Sequence, residues 1–210
     1  MKLIILAAPG AGKGTQAEIL SKQYEIPTIS TCAILRKNIA DETELGKIAA
    51  QYINDGKFVP DDVMIGVVKK RLTEEDCNKG FILDGFPRTI NQAQALDESD
   101  IKIDKVLTIE VDDEKIVERL AGRLECKKCG SSYHRQHKKP AVEGICDNCG
   151  GALTVREDDK PEIIRERLET YYKQTEPLKK FYADKNMLRA AIGQESIEDT
   201  TVAVLAALED

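Results

Sequence analysis

A short apolar run at residues 3–6 leads directly into the segment AAPGAGKGT at residues 7–15, and this junction constrains the fold more than any other feature of the chain. A buried strand, a small-residue loop, a lysine and a helix start together point backbone N–H groups and the positive end of a helix dipole at one spot. A polyphosphate fits such a spot. Lys13 would reach its β and γ phosphates, and Thr15 would bind a magnesium ion or its waters.

The segment departs in two ways from the G-x-x-x-x-G-K-[ST] pattern of phosphate-binding loops. Ala7 occupies the first glycine position, and Gly14 separates the lysine from the hydroxyl residue. A loop that needs positive φ at Ala7 would be strained. The alternative is a glycine-rich turn without a ligand, but the lysine and its placement favour the phosphate site.

Apolar runs alternate with helix-patterned segments along most of the chain. The runs lie at residues 3–6, 81–83, 106–111 and 187–192, with a further strand expected around 28–30. Helices are expected at residues 15–24, 61–72, 113–124, 161–182 and 197–208. Continuous Val, Ile and Leu runs suit parallel strands that are buried on both faces. The sequence therefore predicts an α/β fold with a five-stranded parallel sheet and flanking helices.

Two segments interrupt the alternation and are predicted to be insertions. Residues 30–59 show short helical patterns without a clear strand, and residues 122–159 are rich in cysteine and glycine and poor in large apolar side chains. The predicted core then consists of residues 1–29, 60–121 and 160–210.

Composition excludes some function classes. A net charge of −6 argues against a general nucleic-acid binder, which needs a positive surface, but leaves small anionic ligands open. No apolar run approaches the roughly 18 residues that would span a bilayer, and the N-terminal run is interpreted as a strand and not a signal peptide. Six cysteines without a secretory signal favour a reducing compartment, so a cytoplasmic location is expected.

Four of the cysteines have the spacing of a zinc site. Cys126-x₂-Cys129 and Cys146-x₂-Cys149 are separated by sixteen residues, and each pair is followed by glycine. Four thiolates would fill a tetrahedron around Zn²⁺, so the predicted zinc is structural. Two disulfides are the alternative.

The remaining histidines and cysteines are not assigned to the metal. His134 is expected to help the internal packing of this segment, and His137 is expected to be exposed. Cys32 and Cys77 have no close cysteine partner in the sequence and are interpreted as ordinary thiols.

A second ligand-binding segment follows the run at 81–83. Asp84 and Arg88 belong to the sequence DGFPRT at residues 84–89 and are expected at the carboxyl edge of the sheet, where open α/β sheets bind ligands. Through this segment, GAGKGT at residues 10–15 and several arginines, the chain resembles the adenylate kinase family over essentially its whole length. The resemblance implies a fold like that of P-loop nucleoside triphosphate hydrolases, with a helical AMP-binding insertion at 30–59 and a zinc-binding lid at 122–159.

The resemblance also implies a reaction, the reversible transfer of the terminal phosphoryl group from ATP to AMP, which gives two ADP. It implies Mg²⁺ with the ATP, structural Zn²⁺ and a monomeric protein whose partners are ATP, AMP and ADP, with no nucleic acid and no membrane. Phosphoryl transfer depends on alignment and charge neutralisation, which arginines and a lysine supply.

Site residues follow from the same resemblance. For ATP it implies Gly10, Ala11, Gly12, Lys13, Gly14, Thr15, Arg119, Arg123, Ser132, Tyr133 and Glu195, with Gln194 beside the adenine. For AMP it implies Thr31, Arg36, Lys57, Val59, Gly85, Arg88, Gln92, Arg156 and Arg167. The catalytic set is Lys13, Arg88, Arg123, Arg156 and Arg167. Asp84 would hold magnesium through water, and the zinc ligands would be Cys126, Cys129, Cys146 and Cys149.

One departure from the family pattern bears on activity. Cys32 and Ala33 stand where the family has glycine and an aspartate that orders magnesium-bound water. We therefore expect weaker magnesium binding or slower turnover, and Ala7 adds to that expectation of a low-activity variant.

Two rival functions remain open at this point. The chain could phosphorylate another nucleoside monophosphate, although Thr31 and Gln92 favour AMP. The cysteine-rich segment could instead bind nucleic acid through the basic residues Lys127, Lys128, Arg135, Lys138 and Lys139. That segment has little aromatic interleaving beyond Tyr133 and ends in acidic residues 157–159, which disfavours stacking on bases.

Overall fold

The computed structural model of the protein describes residues 1–53, 55 and 57–209. Within these residues the strands are β1 (Lys2–Leu6), β2 (Thr28–Ser30), β3 (Phe81–Asp84), β4 (Lys105–Glu110), β5 (Arg123–Cys126), β6 (Ser132–His134), β7 (Leu153–Thr154) and β8 (Leu188–Ile192). Five of them form a parallel sheet in the order β2-β3-β1-β4-β8. The predicted α/β class and five-stranded parallel sheet are confirmed.

Helices surround this sheet and fill the connections between its strands. They are α1 (Lys13–Tyr24), α2 (Thr31–Ala40), α3 (Glu44–Ile53), α4 (Asp61–Leu72), α5 (Ile90–Asp97), α6 (Asp113–Ala121), α7 (Pro161–Thr170), α8 (Pro177–Ala183) and α9 (Ile197–Glu209). Helix α5 was not predicted, although Thr89 and Gln92 form the T-x-x-Q signature of a helix start. The Thr89 hydroxyl accepts a hydrogen bond from the Gln92 backbone N–H, as that signature requires.

The long helix predicted over residues 161–182 is wrong in detail. Helix α7 passes into a π-helical segment, Tyr171–Thr175, before α8 begins at Pro177. Proline has no N–H to donate and its ring clashes with the carbonyl four residues earlier, so a regular helix cannot continue through it. The wider π-helical turn accommodates the proline. In it the Glu176 N–H donates to the Tyr171 carbonyl, five residues earlier in the chain.

The sheet is buried on both faces, as continuous apolar strands require. In β1, Ile4 and Leu6 belong to one apolar cluster while Leu3 and Ile5 belong to another on the opposite face. Successive side chains of a strand point to opposite faces, so two separate cores form around one sheet. This packing fixes the carboxyl edge of the sheet, where β1 and β3 end side by side.

Apart from Ser30, the last residue of β2, the two predicted insertions contain no strand of the central sheet in the described residues. Helices α2 and α3 lie in the first, and the second forms a small antiparallel sheet in the order β6-β5-β7. Helix α6 ends at Ala121, before its predicted end at residue 124, because β5 already begins at Arg123. In the described part of the chain, no helix has the length and apolar character needed to cross a membrane.

Candidate active site

The phosphate loop connects the end of β1 to the start of α1. Gly10 and Gly12 have φ values of 87° and 101°, a region that favours glycine. A Cβ on Gly10 would also lie 2.8 Å from Leu120 Cγ, so a side chain there would strike α6. Ala7 is not among the described non-glycine residues with positive φ. The loop therefore does not require the strained, positive-φ conformation at Ala7 that the sequence pattern raised.

Lys13 lies at the base of the loop as the first residue of α1. Its ammonium donates to the carbonyl oxygens of Ala7 at 2.7 Å and Ala8 at 3.0 Å. Burial lowers the pKa of Lys13 to about 8, and the neighbouring Asp84 carboxylate partly offsets that effect. The lysine is thus a poorly hydrated cation whose charge an anionic ligand would stabilise.

Residues after β3 form the neighbouring wall of the site. Asp84 pairs in register with Ile5 of β1, which brings its carboxylate beside the phosphate loop. Gly85 has a φ of 81°, and a Cβ on it would lie 2.9 Å from both the Thr31 hydroxyl and an Arg88 nitrogen. The Gly85 carbonyl accepts from Thr31 Oγ1 and from Arg88 Nε, each at 2.8 Å. Glycine at this position therefore allows three predicted AMP-site residues to meet.

Cys32 has a more specific place than the ordinary thiol that was predicted. Arg88 Nη2 donates to its sulfur at 2.7 Å. Burial raises the pKa of the Cys32 thiol, but the guanidiniums of Arg88 and Arg36 act in the opposite direction and the net pKa lies below its usual value. Sequence reasoning missed this contact because the two residues are distant in the chain.

Four arginines of the predicted site are bound to carboxylates. Arg36 lies 3.3 Å from Glu125 and 3.4 Å from Asp158. The Asp159 side chain, fully buried, accepts from Arg123 Nε at 2.7 Å and from Arg167 Nη1 at 2.9 Å.

Arg156 completes this cluster through its Nε, which donates to Asp158 Oδ1 at 2.8 Å. Glu125, Asp158 and Asp159 were not predicted as site residues, although the acidic run directly after Arg156 was the available signal. The anionic carboxylates hold these guanidiniums together. Phosphate oxygens of a ligand could take the places of some of the carboxylate oxygens.

A third group of residues comes from the lid and the loop before α9. Arg119 Nη2 donates to the Gln194 carbonyl at 2.5 Å, and the exposed Glu195 follows it. The Tyr133 hydroxyl lies 3.5 Å from Cys146 Sγ and accepts from the Asp147 N–H at 2.8 Å. The Tyr133 hydroxyl is therefore part of the lid's interior, and its neighbour Ser132 is exposed.

All of these groups border one cleft of about 1230 Å³. A drug-sized ligand typically occupies a pocket of roughly 300–1,000 Å³, so this cleft is larger than a typical pocket for one such ligand. Every predicted nucleotide-site residue lines it, including the exposed Lys57 and the buried Val59. The phosphate loop forms one wall, and Thr31, Arg88 and Gln92 lie on another.

The four cysteines of the two Cys-x-x-Cys pairs form a compact cluster beside the cleft. All four sulfur atoms lie within 4.8 Å of one another. The pairs Cys126–Cys149 and Cys129–Cys146 have Sγ–Sγ distances of 3.5 Å, and the cysteines are free thiols. Four thiolates bound tetrahedrally at about 2.3 Å would lie about 3.8 Å apart, so the cluster fits a zinc ion.

The surrounding residues build the knuckles of this cluster. The N–H groups of Gly130 and Gly150 donate to the carbonyls of Cys126 and Cys146 at 2.8 and 2.9 Å. The Nδ1 atom of His134 accepts from the N–H groups of Gln136 and His137, and the His137 side chain is exposed. Both histidines therefore lie outside the group of sulfur atoms, as predicted.

A glycine-rich loop at the start of α1 that opens onto a cleft lined by arginines, beside a small segment that carries a four-cysteine cluster, is typical of nucleotide-binding phosphotransferases of the P-loop class. The family model for adenylate kinase matches residues 5–187. Adenylate kinase of Caldicellulosiruptor bescii is 58% identical over 99% of this chain and 99% of its own length. Adenylate kinases of Acetivibrio thermocellus and Staphylococcus aureus are 51% and 48% identical over 99% and 100% of the chain, and over 98% and 99% of their own lengths.

The chain therefore belongs to the adenylate kinase family. As a member it is a phosphotransferase, and the reaction of the family is the interconversion of ATP and AMP with two ADP. The resemblance inferred from the phosphate loop, the DGFPRT segment and the arginines is confirmed.

Proposed function

We propose that the cleft binds ATP and AMP end to end and transfers the phosphoryl group between them directly. The observation that carries this proposal is the convergence of Lys13, Arg88 and Arg167 on one cleft, close enough for the charges of both arginines to influence the Lys13 ammonium. The cleft offers more cationic side chains than one monophosphate would need. They are a lysine and five arginines (Arg36, Arg88, Arg123, Arg156 and Arg167).

ATP would lie with its phosphates on the loop and its adenosine between the lid and the loop before α9. The residues proposed to bind it are Gly10, Ala11, Gly12, Lys13, Gly14, Thr15, Arg119, Arg123, Ser132, Tyr133, Gln194 and Glu195. Backbone N–H groups at the start of α1 suit phosphate oxygens. Because Arg119 already donates to the Gln194 carbonyl, the adenine would enter beside that contact.

AMP would lie on the neighbouring wall of the cleft, which the residues after β3 help to form. The residues proposed to bind it are Thr31, Arg36, Lys57, Val59, Gly85, Arg88, Gln92, Arg156 and Arg167. Arg88 is held over the Phe58 ring at 4.8 Å and by the Gly85 carbonyl, so its guanidinium is oriented before AMP arrives. An oriented cation loses little freedom on binding phosphate and aligns the acceptor oxygen with the donor.

The residues between the two nucleotides would stabilise the charge that develops during transfer. Arg123, Arg156 and Arg167 are paired with Asp158 and Asp159 in the present structure. Phosphate oxygens would replace some of these carboxylate contacts, so the guanidiniums are positioned without a large rearrangement. Closure of the lid would exclude water, which could otherwise accept the phosphoryl group.

Two metals complete the proposal. Asp84 would hold the waters of the Mg²⁺ that accompanies ATP, and Mg²⁺ contributes neutralisation of phosphate charge. Cys126, Cys129, Cys146 and Cys149 would hold a structural Zn²⁺ that supplies the folding free energy a lid with few apolar residues lacks. A cytoplasmic location is proposed as well, supported by the two Cys-x-x-Cys pairs, which in a reducing compartment more often hold metal than form disulfides, and a monomer is proposed from the family resemblance.

A coupled assay of ADP formation from ATP tests this function, with AMP, CMP, UMP and GMP supplied in parallel. We expect AMP to be the preferred acceptor by a wide margin. Preference for another monophosphate would support the rival kinase specificity. Activity with none of them, together with nucleic-acid binding that survives physiological salt, would support a nucleic-acid protein.

A further inference from the structure

We infer that Asp61 is a specificity-determining residue, because together with the Arg88 backbone N–H it fixes which way the Gln92 amide faces and so which purine the acceptor site can accept. This inference rests on the proposed AMP site, in which Gln92 would contact the base. Gln92 is only 1% exposed and lines the cleft, so its polar atoms have few alternatives to protein and ligand partners.

Both ends of the Gln92 amide already have one partner. Its Oε1 atom accepts from the Arg88 backbone N–H at 2.8 Å, and its Nε2 atom donates to Asp61 Oδ1 at 2.7 Å. A backbone N–H can only donate and an ionised carboxylate can only accept. These two partners therefore allow a single orientation of the amide, with oxygen toward Arg88 and nitrogen toward Asp61.

The Asp61 carboxylate is itself held in place. Its second oxygen, Oδ2, accepts from the Thr89 hydroxyl at 2.8 Å. That hydroxyl accepts from the Gln92 backbone N–H at 3.2 Å, so its hydrogen points at Asp61. The hydrogen bonds run in one direction from the backbone of α5 through Thr89 to Asp61, at the start of α4.

One donor and one acceptor of Gln92 remain for a ligand. Nε2 has a second N–H and Oε1 has a second lone pair. The Watson–Crick edge of adenine offers an acceptor at N1 and a donor at the 6-amino group, which complement this pair. Hypoxanthine and guanine offer N1–H and a 6-carbonyl. The Gln92 N–H would then face a donor, and the Gln92 oxygen would face an acceptor.

Rotating the Gln92 amide by half a turn would match a 6-oxopurine instead. Asp61 opposes that rotation because its carboxylate would then face the Gln92 oxygen. When the wrong purine binds, polar groups of this buried site are left without hydrogen-bond partners. The free-energy cost of those unpaired groups disfavours the wrong purine strongly. Residue 61 thus shares with the Arg88 N–H the choice between 6-aminopurines and 6-oxopurines, and it is the side chain of the two that a substitution can change, although it need not touch the base.

The variant Asp61→Asn tests this inference, because an amide can either accept from Gln92 Nε2 or donate to Gln92 Oε1. The measured quantity is kcat/KM for AMP divided by kcat/KM for inosine 5′-monophosphate, which differs from AMP at the two atoms in question. We expect this ratio to fall by roughly tenfold or more, since one charged hydrogen bond no longer enforces the orientation. The KM for ATP is expected to stay unchanged.

Asp62→Asn is the matched control. Asp62 is the exposed neighbour in the same first helical turn, so its replacement removes the same charge from the same helix start. The ratio of kcat/KM for AMP to kcat/KM for inosine 5′-monophosphate in Asp62→Asn should equal that of the unaltered protein. Asp61→Glu keeps a carboxylate and should retain most of the discrimination. If Asp61→Asn does not fold, Asp61→Ser takes its place in the assay.

An unchanged ratio in a folded Asp61→Asn or Asp61→Ser protein would overturn the inference, as would an equal fall in Asp62→Asn. An equal loss of activity with both monophosphates would mean that Asp61 is only structural and would also overturn it. Failure of the unaltered protein to phosphorylate AMP would instead reject the proposed function, which keeps the two outcomes separate.

Discussion

The Arg36 guanidinium lies 3.3 Å from the Glu125 carboxylate, and this ion pair joins helix α2 to strand β5 of the lid across the cleft. Arg36 is a proposed AMP ligand. Its charge is therefore already partly satisfied before the monophosphate arrives, and the same contact connects β5 to the proposed acceptor site. AMP has to compete with a carboxylate that the protein itself supplies.

Removing that competitor should favour AMP. We predict that Glu125→Gln lowers the KM for AMP by roughly two- to fivefold, which matches the free energy of a partly exposed ion pair. The KM for ATP should change less, since Arg36 lies on the acceptor side. Steady-state kinetics with each substrate varied in turn measures both values.

The control for this prediction is Glu157→Gln, because Glu157 is an exposed carboxylate of the same segment that pairs with Lys160 at 2.7 Å, whereas the carboxylates paired with Arg36 are those of Glu125 and Asp158. It should leave the KM for AMP unchanged. A higher KM for AMP in Glu125→Gln would contradict the idea of competition and would make Glu125 an aid to AMP binding.

Protonation of Lys13 should be coupled to ATP binding. Burial lowers the pKa of Lys13 to about 8, so in the free protein this lysine loses its proton as the pH rises past that value. The negative phosphates of ATP favour the charged ammonium and raise its pKa again. We predict uptake of roughly one proton when ATP binds at about pH 9.

Calorimetric titrations in buffers of different ionisation enthalpy measure this uptake. In Lys13→Arg the guanidinium stays charged at every pH used, so the uptake should disappear. An equal proton uptake in that variant would assign the proton to another group and contradict the prediction.

Ala33 should limit the use of magnesium. It lines the cleft where the resemblance places an aspartate, and Asp84 is the only remaining carboxylate of that predicted pair. We predict that Ala33→Asp lowers the Mg²⁺ concentration for half-maximal activity by roughly tenfold, the typical contribution of an outer-shell ligand. Ala33→Asn, of similar size but without charge, is the control. No change in magnesium dependence in Ala33→Asp would refute this prediction.

Zinc should stabilise the fold of the lid and take no part in phosphoryl transfer. We predict one zinc per chain by elemental analysis, and its loss in Cys146→Ser together with a melting temperature at least about 5 °C lower. Cys77→Ser changes a buried thiol outside the cluster and should keep the metal. A full complement of zinc in Cys146→Ser would place the metal elsewhere.

Local patterns predicted the sheet and the phosphate loop well, because strands buried on both faces and a loop at a helix start depend on neighbouring residues. The break at Pro177 was missed because the helical periodicity continues on both sides of it. Helix α5 was missed because it is short, although Thr89 and Gln92 mark its start.

The charge pairing within the site could not be read from the sequence. Arg36 and Glu125 are 89 positions apart, and only the folded lid brings them together. The same holds for Cys32 with Arg88, and for Asp61 with Gln92, which lie 56 and 31 positions apart. The family resemblance supplied the arginines but none of their carboxylate partners, because most of those partners come from distant parts of the chain.

A crystal structure with a bisubstrate dinucleotide, two adenosines joined through five phosphates, would show whether two nucleotides bind end to end in this cleft. We predict that its phosphates contact Lys13, Arg88, Arg123, Arg156 and Arg167, with one adenine beside Gln194 and the other beside Gln92. Phosphates bound elsewhere, with Arg123, Arg156 and Arg167 still paired to Asp158 and Asp159 and the cleft empty, would rule out end-to-end binding of ATP and AMP in this cleft.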